Sequence, residues 1–241
     1  MRINLALPPD TAESFAREVD ENLRRDQMQQ AAKRYGMLIA AAVILLLGAV
    51  GGYLYWRNHQ AKVAAEQSEA LSAAFDRVTA GNVTGAAADL VPLSTSSNDM
   101  VRASALLGRA SLALRQSVRK TASDLFKQIA ADDSLPQPFR DLATVRGTAV
   151  DFDGMKPAAV IARLAPLSQP GNSFFGSAGE MTAIAMLAKG DKPGAGAMFA
   201  RIAADKQVPD SIRSRAVQIA GTLGVDASAS MPGDPAATPA L

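Results

Sequence analysis

The sequence predicts an all-α protein in which one transmembrane helix is followed by a solenoid of helical repeats. Three observations carry that expectation. No charged residue occurs between Arg34 and Arg57. Beyond Arg57, runs of helix-favouring residues alternate with short breaks rich in Gly, Pro, Asn and Ser. Finally, FKQIAADDSLPQPFRDLA, from Phe126, returns as FARIAADKQVPDSIRSRA, from Phe199. β-branched residues cluster only in the charge-free run, so no strand is expected.

The first element precedes that run. Asp10 or Thr11 can cap a helix whose first turn holds Glu13. Phe15, Val19 and Leu23 recur four residues apart, and Met28 and Ala32 roughly continue the stripe. Residues 1–35 therefore read as an amphipathic segment whose helix runs into the span. Its apolar side could lie on a membrane or on a partner, or the segment could be a solvated stalk.

The second element is GMLIAAAVILLLGAVGGYLYW, residues 36–56. The uncharged run around it, helical at about 1.5 Å per residue, is about 33 Å long, which matches a hydrocarbon core of about 30 Å. A buried core helix would be shorter and interrupted by polar residues. A cleaved signal peptide would carry a short basic leader, whereas 35 residues come first here, so an uncleaved anchor is preferred even though Ala49-Val50-Gly51 could pass as a cleavage site. Arg24, Arg25, Lys33 and Arg34 lie on one side of the span, and only Arg57 and Lys62 lie as close on the other. The positive-inside bias then leaves the N-terminus in the cytoplasm and residues 57–241 outside. Tyr53, Tyr55 and Trp56 fit an interfacial aromatic belt, with Arg57 snorkelling beside them and Lys33 and Arg34 at the opposite interface. Gly48 and Gly52 form a small-xxx-small pattern that lets a second helix approach.

The third element, residues 57–225, is built from repeats. At a shift of 73 positions, Phe126/Phe199, Ile129/Ile202, Asp132/Asp205, Pro136/Pro209 and Arg140/Arg213 match. LVPLS at Leu90 and LAPLS at Leu164 match at a shift of 74, which also aligns Asn98 with Asn172. Half of that period is visible too. Leu90, Phe126, Leu164 and Phe199 each follow a small or branched residue by four and precede an apolar one by three. Their spacings are 36, 38 and 35 residues. A helix–turn–helix unit of this length is close to a tetratricopeptide repeat of about 34 residues. Stacked units bury one face on each neighbour and form a curved array whose concave surface binds other proteins. The four large residues are expected to be core, and small residues such as Ala105, Gly108 and Gly179 let paired helices pack closely. Residues 226–241, DASASMPGDPAATPAL, hold almost no large apolar residue and are expected to be disordered.

Catalytic chemistry has little to work with. The 241 residues contain no cysteine and one histidine, His59, which lies just past the span where no folded pocket is expected. Asp132-Asp133 and Asp151-x-Asp153 fall at helix ends, where turn and capping roles explain them. Gly190-Asp191-Lys192-Pro193-Gly194 reads as a turn and not as a phosphate loop. Arg115, Arg119 and Lys120 read as a solvated face. With 25 basic and 23 acidic residues the net charge is +2, and no concentrated basic face points to nucleic acid. No catalytic residue, metal, cofactor or small-molecule substrate is expected.

The order of parts resembles the YfgM-like family of bacterial inner-membrane proteins, the ancillary subunits of the Sec translocon. REVDENLRRDQMQQAAKRYG, from Arg17, looks like the juxtamembrane segment of alphaproteobacterial members. YLYWRNHQ, Tyr53 to Gln60, followed by small residues and Phe75, looks like their membrane-exit segment. The resemblance covers roughly residues 13–225. It implies a short cytoplasmic segment, one span and a periplasmic tetratricopeptide-like domain without catalytic residues. It also implies as partners the Sec translocon subunits, a membrane-anchored periplasmic chaperone and translocating chains. The alanine-rich repeats depart from the family, so a scaffold for another envelope complex, in division or outer-membrane assembly, is the alternative. A regulator acting through the 10–34 helix is a third.

Overall fold

The computed structural model describes residues 10–233 and, among them, contains only helices and turns. The chain divides into two compact units, Met1–Val63 and Ala64–Leu241. Helix α1, Asp10–Thr79, belongs to both. It contains no proline, so nothing removes a backbone donor along its 70 residues.

The second unit starts with the last turns of α1. It continues with α2 (Val83–Leu93), α3 (Asp99–Arg115), α4 (Arg119–Ala131), α5 (Gln137–Asp151), α6 (Pro157–Leu164), α7 (Phe175–Ala188), α8 (Lys192–Ala204) and α9 (Asp210–Thr222). From α2 onward each helix packs on the next, and α3, α5, α7 and α9 also touch in sequence. First helices thus form one layer and the second helices α2, α4, α6 and α8 lie behind them. This is the all-α repeat architecture expected from the period.

The turns repeat because their chemistry repeats. Four first helices end in a left-handed residue that lets the last carbonyls find donors. After α1, Gly81 has φ +83° and Asn82 N–H donates to Arg77 O at 2.9 Å. Gly190 after α7 and Gly224 after α9 do the same. At the end of α3 the residue is Ser117, φ 62°, and Val118 N–H donates to Ala113 O at 2.8 Å. A side chain is strained in this conformation and glycine is not. Ser117→Gly is therefore expected to stabilise the unit by about 1 kcal/mol, seen as a raised melting temperature of the purified protein.

Between second and first helices the turn also follows the sequence repeat. The carboxylates of Asp132 and Asp205 accept backbone N–H bonds from Ser134 and Gln207, at 3.0 and 2.9 Å. Pro136 and Pro209 then open α5 and α9. Arg140 and Arg213 reach back toward the preceding second helix, Arg140 to Asp133 and Arg213 Nε to Ala203 O at 2.9 Å.

Four core clusters follow one another along the unit. The first joins Ala74 of α1, Leu90 of α2 and Val101 of α3. The second joins Leu106, Phe126 and Ala143 of α3, α4 and α5. The third joins Val145, Leu164 and Ala178 of α5, α6 and α7. The fourth joins Phe175, Phe199 and Val217 of α7, α8 and α9. Leu90, Phe126, Leu164 and Phe199 sit at equivalent places on the four second helices, none more than 1% exposed. Leu90 and Phe126 each face a glycine of the following first helix. A Cβ at Gly108 would lie 3.0 Å from Leu90 Cδ1, and one at Gly147 would lie 2.9 Å from Phe126 Cβ.

Residues 226–233, the described start of the segment expected to be disordered, make contacts with the repeats. Ala227 is buried in the fourth cluster, and Arg213 Nη2 donates to Ser230 O at 3.2 Å. Val225, just before them, packs beside Gly196 of α8. The rest of that segment, from residue 234, lies outside the described residues, as do residues 1–9.

Candidate protein-interaction groove and apolar helix

One helix among the described residues is long and apolar enough to cross a membrane. The qualifying part of α1 is Lys33–Thr79, and its most apolar window has a mean hydropathy of 2.4 with none of it buried. Leu45, Leu46, Leu47 and the residues around them carry their side chains outward with no protein against them. Lys33 and Arg34 lie at one end of this run, with the Arg34 guanidinium 5.7 Å from the centre of the Tyr35 ring. Tyr53, Tyr55, Trp56 and Arg57 are exposed at the other. A Cβ added at Gly48 or Gly52 would meet nothing within 4 Å, so both positions are open to an approaching helix. His59 is exposed on the same helix.

The second unit has its own concavity. An open groove of about 800 Å³ lies along the layer of first helices, between the end of α3, the length of α5 and the start of α7. Leu114, Leu142, Val145, Phe174 and Met181 give it an apolar floor. Arg119, Arg146 and Glu180 supply its charge. Arg119 is partly engaged, donating from Nη2 to Val150 O at 2.6 Å. Glu180 is held by Arg215 of α9 through two parallel bonds, Nε to Oε1 at 2.5 Å and Nη2 to Oε2 at 2.7 Å. Arg146 is exposed and joins none of the ion pairs found among the described residues.

The carboxylate pairs lie elsewhere: Asp132 serves the turn after α4, whereas Asp151 ties the end of α5 to α4. Asp132 accepts from the hydroxyl and the N–H of Ser134, which hold its carboxyl below the ordinary range, with Arg102 and Arg140 adding to the effect against slight desolvation. Asp133 pairs with Arg140. Asp151 at the end of α5 is partly desolvated, which would raise its carboxyl, but the Ser123 hydroxyl at 2.9 Å and the Lys127 ammonium at 3.0 Å outweigh that and lower it. A carboxyl lowered in the folded state lends stability above its unfolded pKa of about 3.9, and that stability is lost as the pH falls through the lower folded value. Asp151→Asn is thus expected to lose less stability than the unaltered chain on acidification below about pH 4, as read by denaturant melts across that range. Of the basic cluster, Lys120 pairs with Asp124 of the same helix at 2.7 Å, and Gly190 and Asp191 form the turn between α7 and α8. Among the described residues no group of three or more His, Asp or Glu side chains could hold a metal ion.

Sequence reasoning finds the repeat register but misses the groove. Its charge comes from single residues on three different helices, which no local motif joins. One signal was available: at the shift of 73 positions Arg146 of α5 aligns with Ile219 of α9, so a charge stands where the matching repeat has an apolar residue.

The sequence profile of the tetratricopeptide repeat-like domain family matches residues 32–220, so it takes in the apolar run as well as the helix pairs. The chain belongs to this family. No curated protein and no solved structure shows a significant match. Tetratricopeptide repeat-like domains are typically scaffolds that bind other proteins, and the groove on the first-helix layer is where this one offers apolar and charged groups together.

Proposed function

We propose that this tetratricopeptide repeat-like protein is a non-enzymatic, single-pass protein of the bacterial inner membrane. Residues 36–56 span the bilayer with the N-terminus in the cytoplasm, and the repeats bind partner proteins in the periplasm. In this reading it is an ancillary subunit of the Sec translocon that assists secreted chains together with a membrane-anchored periplasmic chaperone. The observation that carries it is the coupling, in one chain, of an unburied apolar helix with a repeat unit that has an open groove. An anchor concentrates a binding domain at the bilayer surface, where chains emerge from a translocon. The charge asymmetry around the span supports the orientation. The YfgM-like juxtamembrane and membrane-exit segments support the choice of partner.

The test is crosslinking from residues 57–80 in membranes, followed by purification in mild detergent. Sec subunits and a membrane-anchored chaperone are expected among the products. Their consistent absence, with subunits of a division or outer-membrane assembly complex in their place, would overturn the Sec reading. A tag at residue 241 is expected to be reached by a protease only after the outer membrane is opened.

A further inference from the structure

We infer that the groove between α3, α5 and α7 holds a protein segment in which a carboxylate is flanked by apolar side chains. The inference deepens the partner-binding reading and rests on it. Charge complementarity selects the occupant. The groove presents two guanidinium groups, those of Arg119 and Arg146, and one carboxylate, that of Glu180. Glu180 is already satisfied by the two bonds from Arg215, and Arg119 spends one donor on Val150 O. Among the described residues the Arg146 side chain makes no hydrogen bond or ion pair, so its fork of donors is open to a ligand. It stands over an apolar floor that includes Leu142, Val145 and Met181. A basic segment would meet like charge there, and a purely apolar one would cover a guanidinium without pairing it, which is costly. A carboxylate between apolar residues meets both features, with the acid on Arg146 and its neighbours on the floor.

The test uses the full chain in mild detergent and three fluorescent peptides of about ten residues. One carries a central aspartate between leucines, one carries asparagine in its place, and one carries lysine. The aspartate peptide is expected to bind about tenfold tighter than the asparagine peptide, as a charge-assisted bond requires. The lysine peptide should bind weakest of the three. Arg146→Gln is expected to erase the preference for aspartate, and Arg146→Lys to keep part of it, with unchanged thermal melting because the side chain is exposed. Equal binding of the aspartate and asparagine peptides, or an unchanged preference in Arg146→Gln, overturns the inference and leaves partner binding itself intact. Absence of binding by all three peptides also overturns it, as does N-acetylaspartate displacing the aspartate peptide at its own concentration, which would make the ligand a small acid. Sedimentation showing that the groove instead closes on a second copy would do the same. The partner-binding reading stands or falls separately, on the crosslinks from residues 57–80.

Discussion

Replacing Leu45 and Leu46 together by arginine is expected to release the chain from the membrane. Both lie at the middle of the proposed span, residues 36–56, where a membrane helix would be farthest from either interface, and both side chains are exposed. On insertion scales leucine at the centre of a span contributes about −0.5 kcal/mol and arginine costs about 3 kcal/mol, so the pair shifts insertion by about 7 kcal/mol. Snorkelling relieves little at this depth, since each end of the span is about 15 Å away at 1.5 Å per residue. Alkaline extraction should move the variant from the membrane pellet to the supernatant. Circular dichroism of the released protein should still report folded repeats, because the four core clusters draw no residue from the span. A variant that stays in the pellet through extraction would contradict the anchoring role of this helix.

Phe126→Ala is the second large effect, at about 3–5 kcal/mol of destabilisation. The ring is 1% exposed and sits in the cluster shared by α3, α4 and α5, so its removal leaves a cavity that three helices must close. Hydrogen exchange should show the loss first in α4 and α5, with α8 and α9 protected for longer, because their cluster has no helix in common with it. The glycine opposite sharpens the expectation. In Gly147→Ala the new methyl would meet Phe126 Cβ at 2.9 Å, an atom that any residue except glycine retains. Phe126→Ala should therefore leave the Gly147→Ala cost in place. Gly108→Ala differs, because its neighbours are Leu90 Cδ1 and the ring edge of the half-exposed Phe75, both far ends of side chains. Its cost should be smaller and should fall further in a Leu90→Ala background. A double-mutant cycle reads both couplings.

How much of this was legible in the sequence depends on whether the information was local. The all-helical repeat was legible because its period is written in residues that do the same work in each copy. Asp132 and Asp205 hold matching turns, and Pro136 and Pro209 open matching helices. Most helix breaks were marked by glycine or proline. The end of α3 was not, because Ser117 adopts the left-handed conformation there that glycine adopts after α1, α7 and α9. The packing of Ala227, in the segment expected to be disordered, was hidden as well. A small, isolated apolar residue looks like linker until α8 and α9 give it a surface to cover. The groove was illegible for a deeper reason. Leu114, Arg146 and Glu180 meet only because every first helix lies in one layer, and that is a property of the stack and not of any segment.

Each of the four core clusters is made from three successive helices, the fourth adding only Ala227 just past α9. A duplication or loss of one whole helix pair would therefore join two surfaces already shaped for each other, with no distant contact to repair. Descendants of this chain can change length in steps of about 36 residues, close to one repeat, more easily than in steps of one. The layer of first helices that lines the groove would gain or lose one helix at each step. Partner choice in this lineage can then evolve by counting modules as well as by substituting residues.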